Sequence, residues 1–230
     1  MCGRFSLGAD AGTLVAQFNL FEAPAWTPRY NIAPTQQAPT IVIASADPRR
    51  GFTLHRWGLI PSWAKDPGIG SQMINAQAET VATKPAFRAA FRKRRCLVLA
   101  DGFYEWARQG RPKQPYYIRL RDGRPFAIAG LWEHWEGAGG TPINSCTLLT
   151  IAANDLIGAF HHRMPVILDP GDYDLWLDPS VQDPERLQPL LRPYPEDAMS
   201  AYPVSTRVNN PAHDCPDCIE PVPGQPAAPA

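Results

Sequence analysis

Long apolar runs are missing from this 230-residue chain. None approaches the roughly 18 residues that a membrane-spanning helix needs, so no membrane partner is expected. The first residues also lack the basic-then-apolar order of a secretory signal, which sets the expected location in the cytoplasm. Cysteine is scarce and odd in number: Cys2, Cys96, Cys146, Cys215 and Cys218. Five cysteines in a reducing compartment argue for free thiols and against a disulfide framework. There is no P-loop, no Rossmann glycine pattern, no H-E-x-x-H and no G-x-S-x-G, so no cofactor is expected. Metal is not expected either. Cys215-Pro216-Asp217-Cys218 has C-x-x-C spacing, but a four-ligand zinc site needs two more ligands, and only His213 lies close by. As a redox motif the pair lacks a thioredoxin-like βαβ setting.

What the chain does have is ordinary apolar content, 44%, with 19% charged residues, enough for a globular protein with a proper core. Formal net charge is zero, yet it is unevenly spread. Residues 1–125 carry 18 Lys+Arg against 8 Asp+Glu, and residues 126–230 carry 4 against 14. Such asymmetry fits a basic face suited to a polyanion. It fits equally well two halves that interleave in space and mix their charges.

Periodicity predicts a short amphipathic helix over 10–20 with Asp10 as N-cap. It predicts strands at 40–44 and 52–59 joined by a turn at Asp47-Pro48, then a loop over 61–71 holding Trp63, a helix over 83–94 and a buried strand at 96–100. Further strands are predicted at 116–120, 126–132 and 146–152, with Asp122-Gly123 as a hairpin between the first two. One or two helical turns are expected at 154–159, a short strand at 166–168, helices at 172–177 and 184–191, and a last extended segment from Val204-Ser205. The Pro/Ala-rich residues 221–230 are expected to be a disordered tail. The fold class is therefore α+β: one antiparallel-sheet-rich domain over 1–220 with a few peripheral helices.

Cys2 holds the most chemistry. Small second residues usually permit removal of the initiator methionine, and Cys2 would then carry a thiol and a free α-amine on adjacent carbons. Both ionise near pH 8. An amine condenses with an aldehyde to an imine, and the thiol closes on that carbon to give a five-membered thiazolidine. A second residue usually means nothing, however, and termini usually fray.

Three other clusters stand out. Met73 to Thr80 places polar residues, Asn75 among them, between a loop and a helix. Ala100 to Trp106 sets Glu105 among three aromatics just past a buried strand. Phe160 to Pro165 carries His161, His162 and Arg163. Asn75 could be a simple turn residue, Glu105 could alternate outward into water, and the histidines could be surface loop residues. If Glu105 points inward, loss of solvent raises its pKa, which suits a proton donor near neutral pH.

Together these segments resemble one family, the SRAP (SOS-response-associated peptidase) proteins, abasic-site processing proteins acting on single-stranded DNA. The resemblance is carried by Met-Cys-Gly-Arg-Phe at 1–5, Arg-Tyr-Asn-Ile-Ala-Pro at 29–34 and Trp-Gly-Leu-Ile-Pro-Ser-Trp at 57–63. It continues with Ile-Asn-Ala-Gln-Ala-Glu-Thr at 74–80, Ala-Asp-Gly-Phe-Tyr-Glu-Trp at 100–106, His-His-Arg-Met-Pro-Val-Ile-Leu at 161–168 and Val-Ser at 204–205. It spans nearly the whole chain and implies a barrel-like SRAP-type domain. It also implies that an exposed Cys2 bonds to the ring-opened sugar of an abasic site, oriented by Asn75, with Glu105 and His161 as acid/base groups. His162 falls where the family varies.

The implied partner is single-stranded DNA containing abasic sites, bound by a monomer that is nucleoid-associated when on DNA. The resemblance implies DNA contacts from Arg4, Trp63, Gln77, Arg88, Thr150 and Arg163, with some of the run from Arg88 to Arg95 touching phosphate. Trp63 is suited to stack on a base or wedge at the lesion; Trp57 is expected in the core. Gln77 departs from the family, which usually has Arg there; a neutral amide replaces a charged fork. Two other readings stand beside it: a thiol autopeptidase removing its own Met1 with the same four residues, and a non-covalent single-strand binder that does not need Cys2.

Overall fold

The computed structural model describes residues 2–44, 47–107, 113–137 and 140–224. In chain order these form β1 (Phe5–Leu7), α1 (Ala11–Phe18), β2 (Arg29–Ile32), β3 (Gln37–Ala44), β4 (Asp47–Trp57), β5 (Asn75–Gln77), α2 (Arg88–Lys93), β6 (Arg95–Ala100), β7 (Gly102–Trp106), β8 (Pro115–Leu120), β9 (Phe126–Trp135) and β10 (Ile143–Ala152). Then follow α3 (Asp155–Gly158), β11 (Arg163–Pro165), β12 (Ile167–Leu168), α4 (Tyr173–Leu177), α5 (Pro184–Leu187) and β13 (Met199–Pro203). No helix among the described residues is long and apolar enough to cross a membrane.

The strands make two sheets. Five line up as β13-β8-β7-β1-β2, and eight belong to a larger sheet in which β10, β4, β3, β6 and β9 close into a ring because β9 also pairs with β10. That ring is the barrel-like element. Its pairings are antiparallel except β10 against β4, and β5 also lies parallel to β10. β6 is buried along its whole length, as its unbroken apolar run requires for a strand covered on both faces. Asp10 caps α1 by accepting the Thr13 N–H at 2.9 Å, satisfying an otherwise orphaned donor.

Several expectations are corrected. Asp122-Gly123 does form a turn, with Gly123 at φ 72°, but no hairpin: β8 pairs with β7 and β13, whereas β9 pairs with β6, β10 and β12. The turn carries the chain from one sheet to the other. The helix expected over 83–94 shrinks to Arg88–Lys93, because Pro85 lacks the N–H and fixes φ. The last strand precedes Val204 rather than starting there; Val204 makes a single bridge to Pro221, and Val222 N–H donates to the Pro203 carbonyl at 2.9 Å. β4 already begins at Asp47, so Asp47-Pro48 is strand and not the turn expected there; residues 45–46 lie outside the described residues. Most of the expected tail, residues 225–230, also lies outside them.

Among the described residues two large apolar clusters fill most of the interior, one beneath α1, α2 and α4, the other around Phe5, Trp57 and Phe103, with a smaller third around Tyr104 and Tyr117. Trp57 is fully buried, meets Phe5 edge-on at 5.1 Å between ring centroids, and donates Nε1–H to the Ile74 carbonyl at 2.8 Å. It therefore fixes the segment just before Asn75 against the strand that follows Cys2.

Candidate active site

β1 pairs antiparallel with β7, Phe5 facing Phe103, and Tyr104 N–H donates to the Arg4 carbonyl at 3.0 Å. Extended by two residues, that register sets Glu105 opposite Gly3. From the other side comes β5, held parallel to β10 with Asn75 beside Leu148 and Gln77 beside Thr150. Asn75 donates Nδ2–H to the Cys2 carbonyl at 2.9 Å. Two strand pairings thus bring Cys2, Asn75 and Glu105 together from positions 30 to 103 residues apart.

Cys2 is not exposed. In the chain that carries Met1 it has 0% accessible surface and packs with the Phe5–Trp57 cluster. Burial, together with the nearby negative charge of Glu105, pushes its thiol up to about 12. The expectation of an open thiol fails because strand pairing fastens the first residues: Phe5 is bonded between β2 and β7, so this terminus does not fray. Glu105 points inward and is 5% exposed; burial raises its carboxyl above the usual range.

Two clefts meet here. The larger, about 790 Å³, is lined by Arg4, Glu105, Trp106, Lys113, Phe160, His161, His162 and Asn209. The smaller, about 260 Å³, is lined by Asn75, Gln77, Lys84, Thr150, Arg163 and others, and shares His161 and His162 with the first. The two rings stack at 4.3 Å between centroids. His161 Nδ1 accepts the Arg163 backbone N–H at 2.9 Å. That bond needs the Nδ1 lone pair, so in the neutral ring the hydrogen sits on Nε2. In its neutral form His161 therefore carries Nε2–H as a hydrogen-bond donor.

The DNA-contact expectations divide. Arg4, Gln77, Thr150 and Arg163 reach the clefts. Arg4 donates to Asn31 Oδ1 at 2.6 Å and to the Val208 carbonyl at 2.8 Å, with its guanidinium 5.8 Å from the Trp106 ring. Arg163 is committed to a forked pair with Glu79, at 2.6 and 2.8 Å. Trp63 is 60% exposed but lines neither cleft. Arg88 lies on α2 beside Arg92 and Lys93, over a separate depression. Within that run Arg95 is buried, donating to the carbonyls of Phe91, Arg92, Trp176 and Val181, and Arg94 pairs with Glu133 at 2.7 Å. These two side chains are engaged within the fold.

Arg29–Asp214, Arg50–Asp174 and Arg94–Glu133 each join a cation of the first half to an acid of the second, so the two halves partly interleave. Sequence reasoning missed Lys84, Lys113 and Asn209 as cleft residues. Trp106, whose Nε1–H donates to Asn209 Oδ1 at 2.7 Å, had a signal in its place beside Glu105. The two lysines had none.

A family model described as SOS response associated peptidase (SRAP) matches residues 1–211. Abasic site processing protein YoqW of Bacillus subtilis is 44% identical over 224 residues, 96% of this chain and 99% of the relative. Abasic site processing protein HMCES of Gallus gallus is 32% identical over 265 residues, 96% of this chain and 78% of the relative. A crystal structure of a protein from Bacteroides thetaiotaomicron superposes with a TM-score of 0.85 at 26% identity, covering 96% of this chain and all of that one. A match this long, spanning the strands that assemble Cys2, Asn75 and Glu105, makes the chain a member of the SOS response associated peptidase (SRAP) family.

Proposed function

We propose that this protein captures abasic sites in single-stranded DNA through Cys2 once Met1 has been removed. Removal turns the residue 2 amide into an amine beside the buried Glu105 carboxyl; capture then requires that the thiol, enclosed in the Met1-bearing chain, become accessible. The ring-opened sugar supplies an aldehyde. The amine adds to it and loses water to give an imine; the thiol then adds across the C=N bond, its sulfur to carbon and its proton to nitrogen. The product is a thiazolidine, with one water released overall.

The observation that carries this reading is the meeting of Cys2 with Asn75 and Glu105 beside the two clefts. Glu105, held toward its protonated form by burial, donates to the departing hydroxyl as the imine forms. His161 offers Nε2–H where the clefts join, suited to opening the sugar hemiacetal. Asn75 fixes the Cys2 carbonyl. Arg4, Lys84 and Lys113 supply positive charge for phosphates, which makes capture intramolecular once DNA is seated. The protein acts as a monomer in the cytoplasm, on the nucleoid when DNA is bound. The two Bacillus subtilis and Gallus gallus relatives, named as abasic site processing proteins, support the substrate class.

Intact mass after mixing with an oligonucleotide holding one abasic site tests the proposal. The expected species is protein without Met1 plus oligonucleotide minus one water, absent with undamaged DNA and absent in Cys2→Ala. An adduct that persists in Cys2→Ala, or none with the processed protein, overturns it. Peptide turnover without an adduct would indicate a thiol peptidase instead. The Cys2 thiol at about 12 speaks against that reading in the Met1-bearing chain, since a peptidase needs a thiolate.

A further inference from the structure

We propose that His213, Cys215 and Asp217 form a binding site for a zinc-class divalent cation, away from the clefts. One ligating atom from each of the three lies within 4.8 Å of the other two. Zinc bonds of about 2.0–2.3 Å put neighbouring donors about 3.3–3.8 Å apart in a tetrahedron. His213 Nε2 and Asp217 Oδ1 are at 2.8 Å, so they must part by about half an ångström. The exposed Cys215 side chain closes the remaining gap by about 1 Å at most. The His–Asp hydrogen bond accounts for two of the three groups but leaves the thiol unexplained.

The backbone beneath the site is already fixed. Between the ligands, Asp214 accepts the N–H groups of Tyr30 and Asn31, at 2.5 and 2.8 Å, and pairs with Arg29. Asn31 Nδ2–H donates to the His213 carbonyl at 2.6 Å. Cys218 N–H donates to the Cys215 carbonyl at 3.0 Å. Asp217 can ligate through Oδ1 while Oδ2 keeps its 3.2 Å bond from Arg207, an outer-shell support of the kind metal sites use.

The donor set selects the metal. Imidazole, thiolate and carboxylate suit zinc or cobalt and disfavour magnesium and calcium. Thiolate and carboxylate together cancel the dication's charge. On binding, the Cys215 thiol releases one proton, and the imidazole hydrogen moves from Nε2 to Nδ1 to free the ligating lone pair. Three protein ligands leave the fourth position to water. Cys218 is not a ligand: it is buried, and its thiol donates to the His213 carbonyl at 3.4 Å. The site therefore draws on half of the C-x-x-C pair, completed by an aspartate that spacing rules did not suggest. The consequence reaches the large cleft, because Asn31, which holds His213, also accepts from Arg4.

The test titrates cobalt(II) into the metal-free full chain carrying Cys2→Ala, which removes the other aminothiol able to chelate. One equivalent should produce a thiolate-to-cobalt charge-transfer band and the strong visible bands of four-coordinate cobalt, both bleached by zinc. Cys215→Ser should abolish the charge-transfer band, Asp217→Asn should weaken binding at least tenfold, and Cys218→Ser should leave both intact. Capping Cys215 with iodoacetamide repeats the Cys215 test without changing the sequence, should the serine variant not fold. No thiolate band at millimolar cobalt, a band that survives loss of the Cys215 thiol, or one that disappears only in Cys218→Ser overturns the proposal.

Discussion

Asn75 holds the Cys2 carbonyl at 2.9 Å through Nδ2, while its own Oδ1 is buried with no hydrogen-bond partner among the described residues. A buried acceptor left unpaired is costly, and this one sits beside the residue whose amine appears when Met1 leaves. Asn75→Ala removes both the grip on Cys2 and the waiting acceptor. The rate of adduct formation with abasic DNA should fall on the order of 10²-fold, as for loss of one pre-aimed polar group in other active sites. Affinity for undamaged single strands should change little, and stability by about 1 kcal/mol. Rapid-quench kinetics and DNA binding, measured on the same variant, separate the two effects; equal losses in both would make Asn75 a DNA contact.

The Cys2 thiol, pushed up to about 12 by burial and then by Glu105, has a thiolate fraction on the order of one in 10⁵ at pH 7. Cys215 is exposed, and Cys96 and Cys146 are buried. In protein retaining Met1, alkylation followed by mass mapping should therefore label Cys215 first and Cys2 only on unfolding. Protein lacking Met1 should gain Cys2 labelling. Fast labelling of Cys2 in the Met1-bearing chain would show that its enclosure is absent in solution.

Burial holds the Glu105 carboxyl above its ordinary range, and the sign of the resulting pH dependence is fixed. Between the unfolded and the raised folded pKa the native state binds more protons, so stability falls as pH rises through that window. Below the window both states are protonated and the group contributes nothing. Gln copies the neutral acid at every pH. Glu105→Gln should therefore unfold at a higher temperature than wild type at pH 7.5 and at the same temperature near pH 3.5, while adduct formation slows. A variant less stable than wild type at both pH values would mean that attraction between the carboxylate and the chain's α-amine outweighs the cost of burial.

Much of this was legible in the residues themselves. The apolar run of β6 and the Asp10 cap follow from local chemistry, and the site segments could be named from their order along the chain, whereas the direction of Glu105, flanked by Tyr104 and Trp106, was open until the pairing of β7 was known. What failed depended on distant partners. Asp122-Gly123 has the right turn residues, but the pairing of β8 with β13 and of β9 with β6 is decided by which faces can be buried. β13 ends in Pro203, which hides a strand whose alternating burial is otherwise plain. The role of Gly102 is equally invisible locally: a Cβ there would lie 2.1 Å from Tyr117 Cζ, and Tyr117 is buried in turn. The glycine two residues before Tyr104 is thus a steric requirement for seating the strand that carries Glu105. Arg163 looked available as a cation because nothing in its neighbourhood in sequence shows that Glu79, 84 residues earlier, claims it.

That forked pair gives a way to ask whether Arg163 reaches DNA. Glu79 is about half exposed, with side-chain accessibility 48%, and Arg163 keeps 13%, so water screens the pair and its contribution to stability is at most about 1 kcal/mol. Glu79→Gln leaves Arg163 its bond to the Thr150 carbonyl but frees a full positive charge beside Gln77. Affinity for single-stranded DNA should rise, and the slope of log K against log salt should steepen by about 0.7, the value for one added phosphate contact on a single strand. Thermal stability should hardly change. An unchanged slope would mean that the guanidinium, still tied to Thr150, does not touch phosphate, and that Arg4, Lys84 and Lys113 supply the electrostatic grip without it.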